Sequence, residues 1–234
     1  MTIDKHHVAT TLNYWDDPGD GSKPTPIFIG KGRISNKRPH KAHDFVVSDV
    51  SGEEDRYTLD GQGFQYCQHK SREELFTDEQ QIRTTYYPEC EQLVKAITGA
   101  RQVHIFNHKS PGRTSISHDV IKKRYQIINV WRPIRPILKD PIAVADSSSV
   151  PDADLVGAEM TEDGFVGESW VVRHSPGHRW YYKHGMTPED VLLIKCFDSD
   201  ETVARRALHS AFEDPAYRDC ESRQSIEVRC LVCY

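Results

Sequence analysis

From Gly99 onward the chain reads as one short strand-forming stretch after another, each closed off by Pro, Gly, Asp or Ser. The stretches are Gln102–Asn107, Gln126–Trp131, Ile142–Asp146, Ser169–His174, His178–Lys183, Val191–Phe197 and Ser225–Val232. All are rich in β-branched or aromatic residues, which suit a pleated, half-buried surface. Seven short strands in a row leave no room for the crossover helices of a wound parallel sheet. They predict a mainly β (α+β) domain of the sandwich or jelly-roll type.

Upstream, Pro26-Ile-Phe-Ile-Gly, Asp44-Phe-Val-Val-Ser-Asp and Asp60-Gly-Gln-Gly-Phe suggest brief strands. Residues 1–55 therefore read as an N-terminal arm with short strands, attached to a single jelly-roll domain spanning 1–234. One helical region interrupts this pattern, from about Thr77 to Thr98. Thr77-Asp-Glu-Gln80 offers a capping box. Cys90, Leu93, Val94 and Ile97 recur at helical spacing, and Gly99 is a natural stop. Pro88 lacks an amide donor and should kink or divide the helix. Asp146-Ser-Ser-Ser-Val-Pro-Asp-Ala-Asp reads as an exposed loop.

Several function classes are disfavoured. The net charge of −5, with both signs interspersed, provides no basic stripe for nucleic acid. Apolar runs are as short as Val191-Leu-Leu-Ile194, too short for a membrane span. Met1-Thr-Ile-Asp-Lys-His-His lacks the apolar stretch of a secretory signal, so a cytoplasmic location is expected. No phosphate loop, dinucleotide fingerprint or nucleophile elbow occurs. Cys230-Leu-Val-Cys233 has the spacing of half a zinc site, but no matching pair accompanies it. On a strand these cysteines serve as small apolar residues.

A facial-triad iron site uses two histidines and one carboxylate, and a strand supplies two of them as His-x-Asp or His-x-Glu because its side chains alternate with period two. None of the twelve histidines has an acid two residues on. His118-Asp119 are adjacent and would point to opposite faces of a strand. His104 and His108 share a face without a carboxylate, which suggests a surface or interface role. Trp180 and Tyr182 also share a face and read as core or interface. Trp131 and Arg132 read as packing and bracing the barrel.

As a set, Gln126-Ile-Ile-Asn-Val-Trp-Arg-Pro-Ile134, Pro141-Ile-Ala-Val-Ala-Asp146, His178-Arg-Trp-Tyr-Tyr182, Leu193-Ile-Lys-Cys-Phe-Asp-Ser199, His209-Ser-Ala-Phe-Glu-Asp-Pro215 and Ser225-Ile-Glu-Val-Arg229 resemble a fungal family. It is the Fe(II)/2-oxoglutarate-dependent oxygenase-like family related to the cephalosporin methoxylase component and the aspergillic acid hydroxylase. The resemblance runs in order over residues 55–234. It implies a double-stranded β-helix and oxidation of a secondary metabolite.

By position, His209 corresponds to the family's distal iron ligand. Arg223 and Ser225 correspond to the pair that grips the distal carboxylate of 2-oxoglutarate, a guanidinium fork with an added hydroxyl donor. The family's Val-His-x-Asp segment is missing between Gln102–Asn107 and Gln126–Trp131, as though its strand were deleted. His209 is then either a ligand completed from elsewhere or a vestige hydrogen-bonded in a polar pocket. Arg223 either holds an acid group or pairs with Glu213 or Glu221.

Two functions follow. One is a non-catalytic subunit that forms a heterodimer with a catalytically complete paralogue, with Fe(II) and 2-oxoglutarate present at the level of the complex and none bound by this chain. The other is an active oxygenase with an irregular site built from His118 or His108, Asp119 and His209. A natural product is the expected small-molecule partner; neither nucleic acid nor membrane is.

Overall fold

The computed structural model describes residues 4–30, 33–106, 123–162 and 165–234. Among them run β1 (Val8–Trp15), β2 (Ile27–Gly30), β3 (Arg33–Ser35), β4 (His40–Asp49), β5 (Phe64–Gln68), β6 (Gln102–Phe106), β7 (Tyr125–Pro133) and β8 (Ile142–Ala145). They continue with β9 (Leu155–Glu162), β10 (Phe165–Val172), β11 (Trp180–Tyr182), β12 (Asp190–Asp198), β13 (His209–Ala211) and β14 (Ser225–Cys233). One five-stranded sheet has the order β5-β12-β7-β14-β6, and a second has β1-β4-β11-β8-β13. A four-stranded sheet, β10-β9-β2-β3, stands beside them. The arrangement is a jelly roll, as the strand pattern predicts.

Side-chain alternation sorts the core into layers. On β8, Ile142 and Val144 join Phe64, Tyr66, Trp131, Leu192 and Ile194 between the two five-stranded sheets. Ala143 and Ala145 point the other way, into a cluster with Leu12, Tyr14, Trp180 and Tyr182. The outer face of the first sheet, including Ile128, Val130, Val228 and Cys230, packs on helical Tyr86, Cys90 and Val94. The shared face expected of Trp180 and Tyr182 is therefore a core face.

The helical region has three parts: α1 (Glu79–Gln81), a wide π turn at Ile82–Tyr86, and α2 (Tyr87–Thr98). The cap is Asp78, one residue later than the Thr77 box predicts, and its carboxylate accepts from the amides of Gln80 and Gln81. Pro88 lies in the first turn of α2, where the π turn makes the expected division. Gly99 closes the helix at φ 71°, donating to Lys95 O. A Cβ there would meet nothing within 4 Å, so only the left-handed backbone resists a side chain. Gly99→Ala is expected to cost about 1 kcal/mol in urea denaturation, with an unchanged m-value.

After Gly99, two strands among the described residues lie outside the predicted set. β9 passes through Gly157 and two glutamates and pairs along its length with β10. β13 has only three residues and pairs with β8. No described helix is long and apolar enough to cross a membrane.

Candidate functional site

The inner wall of the first sheet carries the residues singled out near Arg223. In the β14–β7 register, Ser225 faces Pro133, Glu227 faces Trp131 and Arg229 faces Asn129. Paired positions share a face, and Arg229 Nε donates to Asn129 Oδ1 at 3.0 Å. Asn129 is fully buried, and its Nδ2 has no partner among the described residues. Just before β14, Arg223 Nη1 donates to Asp140 O at 2.8 Å, and its guanidinium carbon lies 5.9 Å from the centre of the Trp131 ring. Glu213 is engaged by Arg218 at 2.6 Å, and no ion pair joins Arg223 to Glu221 among the described residues. Arg223 is thus held by a carbonyl and an aromatic face and retains donors for an acid group. Ser225 stands two residues on, at the start of β14 in register with Pro133.

His209 lies opposite Val144, so it shares the face turned toward the first sheet. Its ring is exposed, with Nδ1 3.2 Å from Ala207 O. The polar pocket expected around a vestigial histidine is replaced by an open surface. Among the described residues, one group of three His, Cys, Asp or Glu side chains is close enough to share a metal: His6, His184 and Asp214. His209 is not part of it. The described residues therefore do not make an iron site around His209. His108, His118 and Asp119 lie outside the described residues.

Two further polar groupings have structural tasks. Arg132, 1% exposed, donates through Nη1 to His69 O and Pro188 O at 2.6 Å each, and through Nη2 to His69 Nδ1 at 2.8 Å. It braces the barrel, as expected beside Trp131. A second device is a buried charge cluster. Lys195 Nζ lies 2.6 Å from Asp198 Oδ2 with both side chains fully buried, and Asp198 also accepts from Arg124 and Gln126. Sequence reasoning missed this pair. Three residues apart on a regular strand they would point to opposite faces, but the register shifts between Lys195 and Phe197 and a bulge puts both on one side.

Half-buried His104 keeps an Nε2 contact with Gln102 Oε1 at 3.4 Å. A cleft of about 530 Å³ lies away from Arg223 and is lined by His43, His174, His178 and Trp180. All six cysteines are free thiols. Burial pushes Cys67 and Cys196 up to about 11 and Cys90 to about 12, which makes these thiols inert near neutral pH. The Cys230/Cys233 pair is buried on β14, as expected of apolar fillers.

The sheets define a jelly-roll protein. A family model described as an oxidoreductase/YMDC permease-like domain matches residues 12–117 and 113–233. Hydroxylase/desaturase asaB of Aspergillus flavus is 33% identical over 244 residues, covering 97% of this chain and 95% of the relative. Hydroxylase/desaturase efuI of Hormonema carpetanum is 31% identical over 283 residues, covering 96% and 94%. The alpha-ketoglutarate-dependent dioxygenase phiK of a fungal species is 30% identical, covering 97% and 96%. The solved structure of the iron and alpha-ketoglutarate-dependent endoperoxidase NvfI superimposes with a TM-score of 0.80 at 20% identity, over 97% of this chain and 98% of that one. The chain belongs to the Fe(II)/2-oxoglutarate oxygenase-like family of these fungal hydroxylase/desaturases and dioxygenases.

Proposed function

We propose that this chain is the non-catalytic member of a two-chain Fe(II)/2-oxoglutarate-dependent oxygenase that oxidises a fungal secondary metabolite, the iron being held by a catalytically complete paralogue. The ligand deficit around His209 carries this reading. Neither the sequence, which lacks His-x-Asp/Glu, nor the described residues supply the other two ligands. Two further observations support it. The family match falls into two pieces meeting at residues 113–117, inside the interval where the ligand strand is expected. The alignment with efuI extends over 283 residues, so that relative carries stretches that a 234-residue chain lacks.

A surface for the partner is available on the four-stranded sheet. Phe28, Thr161 and Val166 form one cross-strand row, with Trp170 further along the same face of β10. Phe28, Val166 and Trp170 are 54%, 62% and 51% exposed, respectively, an apolar grouping of the kind that marks an interface. A second reading, an active oxygenase using His209 with His108 or His118 and Asp119, draws on the Arg223 geometry, which keeps donors for 2-oxoglutarate.

Anaerobic Fe(II) titration and 2-oxoglutarate consumption, on the chain alone and co-expressed with its nearest paralogue, separate the two readings. The proposal expects no iron and no turnover alone, turnover in the complex, and near-normal complex activity after His209→Ala. It also expects Val166→Glu with Trp170→Glu to split the complex in gel filtration. About one iron per isolated chain, with 2-oxoglutarate consumed, would overturn it.

A further inference from the structure

The group His6, His184 and Asp214 does not include His209 and is drawn from three separate segments of the chain. His6 precedes β1, His184 follows β11, and Asp214 caps the short 3-10 turn Pro215–Tyr217. Their ligand-type atoms lie within 4.8 Å of one another, with His6 Nε2 and Asp214 Oδ2 2.8 Å apart. Asp214 is 3% exposed, so its carboxylate faces this group rather than solvent.

Two of the backbones are fixed by one buried acid. The Asp49 carboxylate, on a residue 3% exposed, accepts the amide of His6 at 3.1 Å and that of His184 at 3.1 Å. Tyr182 Oη donates to the carbonyl of His6, so the His6 backbone is held at both its donor and its acceptor. His184 Nε2 is 3.4 Å from the Tyr217 hydroxyl, and the His6 and His184 ring centres are 4.6 Å apart.

We propose that His6, His184 and Asp214 form a binding site for a divalent transition-metal cation, built from a residue set that does not include His209. Two imidazoles and one carboxylate make a mixed nitrogen and oxygen donor set suited to zinc-like ions, with a further coordination position left for water. Asp214 and the neighbouring Asp49 together offset the double positive charge. The ion replaces the hydrogen between His6 Nε2 and Asp214 Oδ2; the proton moves to Nδ1 of His6, so the ring remains neutral. The bound ion ties the segment before β1 to the turns that follow β11 and β13, whichever reading of the oxygenase function holds.

The test uses untagged, chelator-treated full chain titrated with Co(II), read by its visible d–d absorption, and with Zn(II), read by calorimetry. The expected result is one equivalent bound, a higher melting temperature with Zn(II), and affinity at least about 100-fold lower in His6→Gln, a loss larger than that from disturbing an outer partner. His6 lies before the first strand and is partly exposed, so this variant keeps the fold, which circular dichroism checks. Asp214→Asn gives a second reading of the same loss, and His209→Ala should bind as the parent does. Absence of binding, binding unchanged in His6→Gln, or binding lost in His209→Ala while kept in His6→Gln would each overturn the assignment.

Discussion

Replacing Asp198 by alanine is expected to destabilise the protein by about 3–5 kcal/mol, because removing one partner of a buried ion pair leaves the other charge uncompensated in a dry environment. The stranded group is Lys195, fully buried and 2.6 Å from the lost carboxylate. Its remaining acidic partner is Asp60 at 2.8 Å, whose side chain is 51% exposed and therefore solvent-screened. That contact moves the expected loss toward the lower end of the range without removing it. Arg124 and Gln126 lose an acceptor as well. Urea denaturation with the m-value monitored measures the effect. A loss below about 1 kcal/mol would show that the cluster is not the constraint described.

The same carboxylate predicts a pH dependence. Burial pushes the Asp198 carboxyl up, but hydrogen bonds from Arg124, Lys195 and Gln126 outweigh it and hold the group at about 2. A carboxyl held below its unfolded value contributes its full stability above that value and loses it as protons bind the folded form. Acid titration of the parent should therefore show stability falling between about pH 4 and pH 2. This component should be missing from Asp198→Asn.

Arg132→Ala is the second large effect expected, again about 3–5 kcal/mol. The side chain is almost wholly buried, so truncation leaves a cavity beside Tyr86, over whose ring the guanidinium carbon sits at 5.6 Å. It also leaves the carbonyls of His69 and Pro188 without their charged donor, and hydrogen bonds to charged groups are worth about 1.5–3 kcal/mol each. Arg132→Lys keeps the charge but not the fork, and should recover only part of the loss. A second readout follows from His69. Burial and the nearby Arg132 charge hold that imidazole below the usual histidine range. In Arg132→Ala, an NMR titration should find it moved up toward the ordinary value; an unmoved His69 would sink this account of the contact.

Much of the barrel is legible in the chain because its strands are dense in β-branched and aromatic residues between turn formers, as in Gln126-Ile-Ile-Asn-Val-Trp and Val191-Leu-Leu-Ile. β9 is not, since Leu-Val-Gly-Ala-Glu-Met-Thr-Glu lacks that density and owes its form to pairing with β10. The Lys195–Asp198 pair is hidden for a different reason: a bulge changes which residues share a face, and no periodicity announces it. His6 is separated from His184 and Asp214 by most of the chain, and only the folded sheets bring the three together. Arg223 and Ser225 were legible as a motif. That Arg223 would lie on Trp131 and the Asp140 carbonyl, rather than beside Glu213, depends on loop geometry that spacing does not encode.

The central placement of β14 has a kinetic consequence. It lies between β7 and β6 and meets partners 100 residues earlier and more, from the Arg229–Asn129 contact to Cys233 opposite Gln102. Closing such a long loop must be completed before the pairing repays it, so this sheet is expected to assemble slowly. Until β14 docks, β6 and β7 each present an unpaired backbone edge, and such edges template association between chains. The partly folded protein is thus most prone to aggregation just before its last central strand inserts, so slow, cool expression with chaperones present should favour recovery of the folded form.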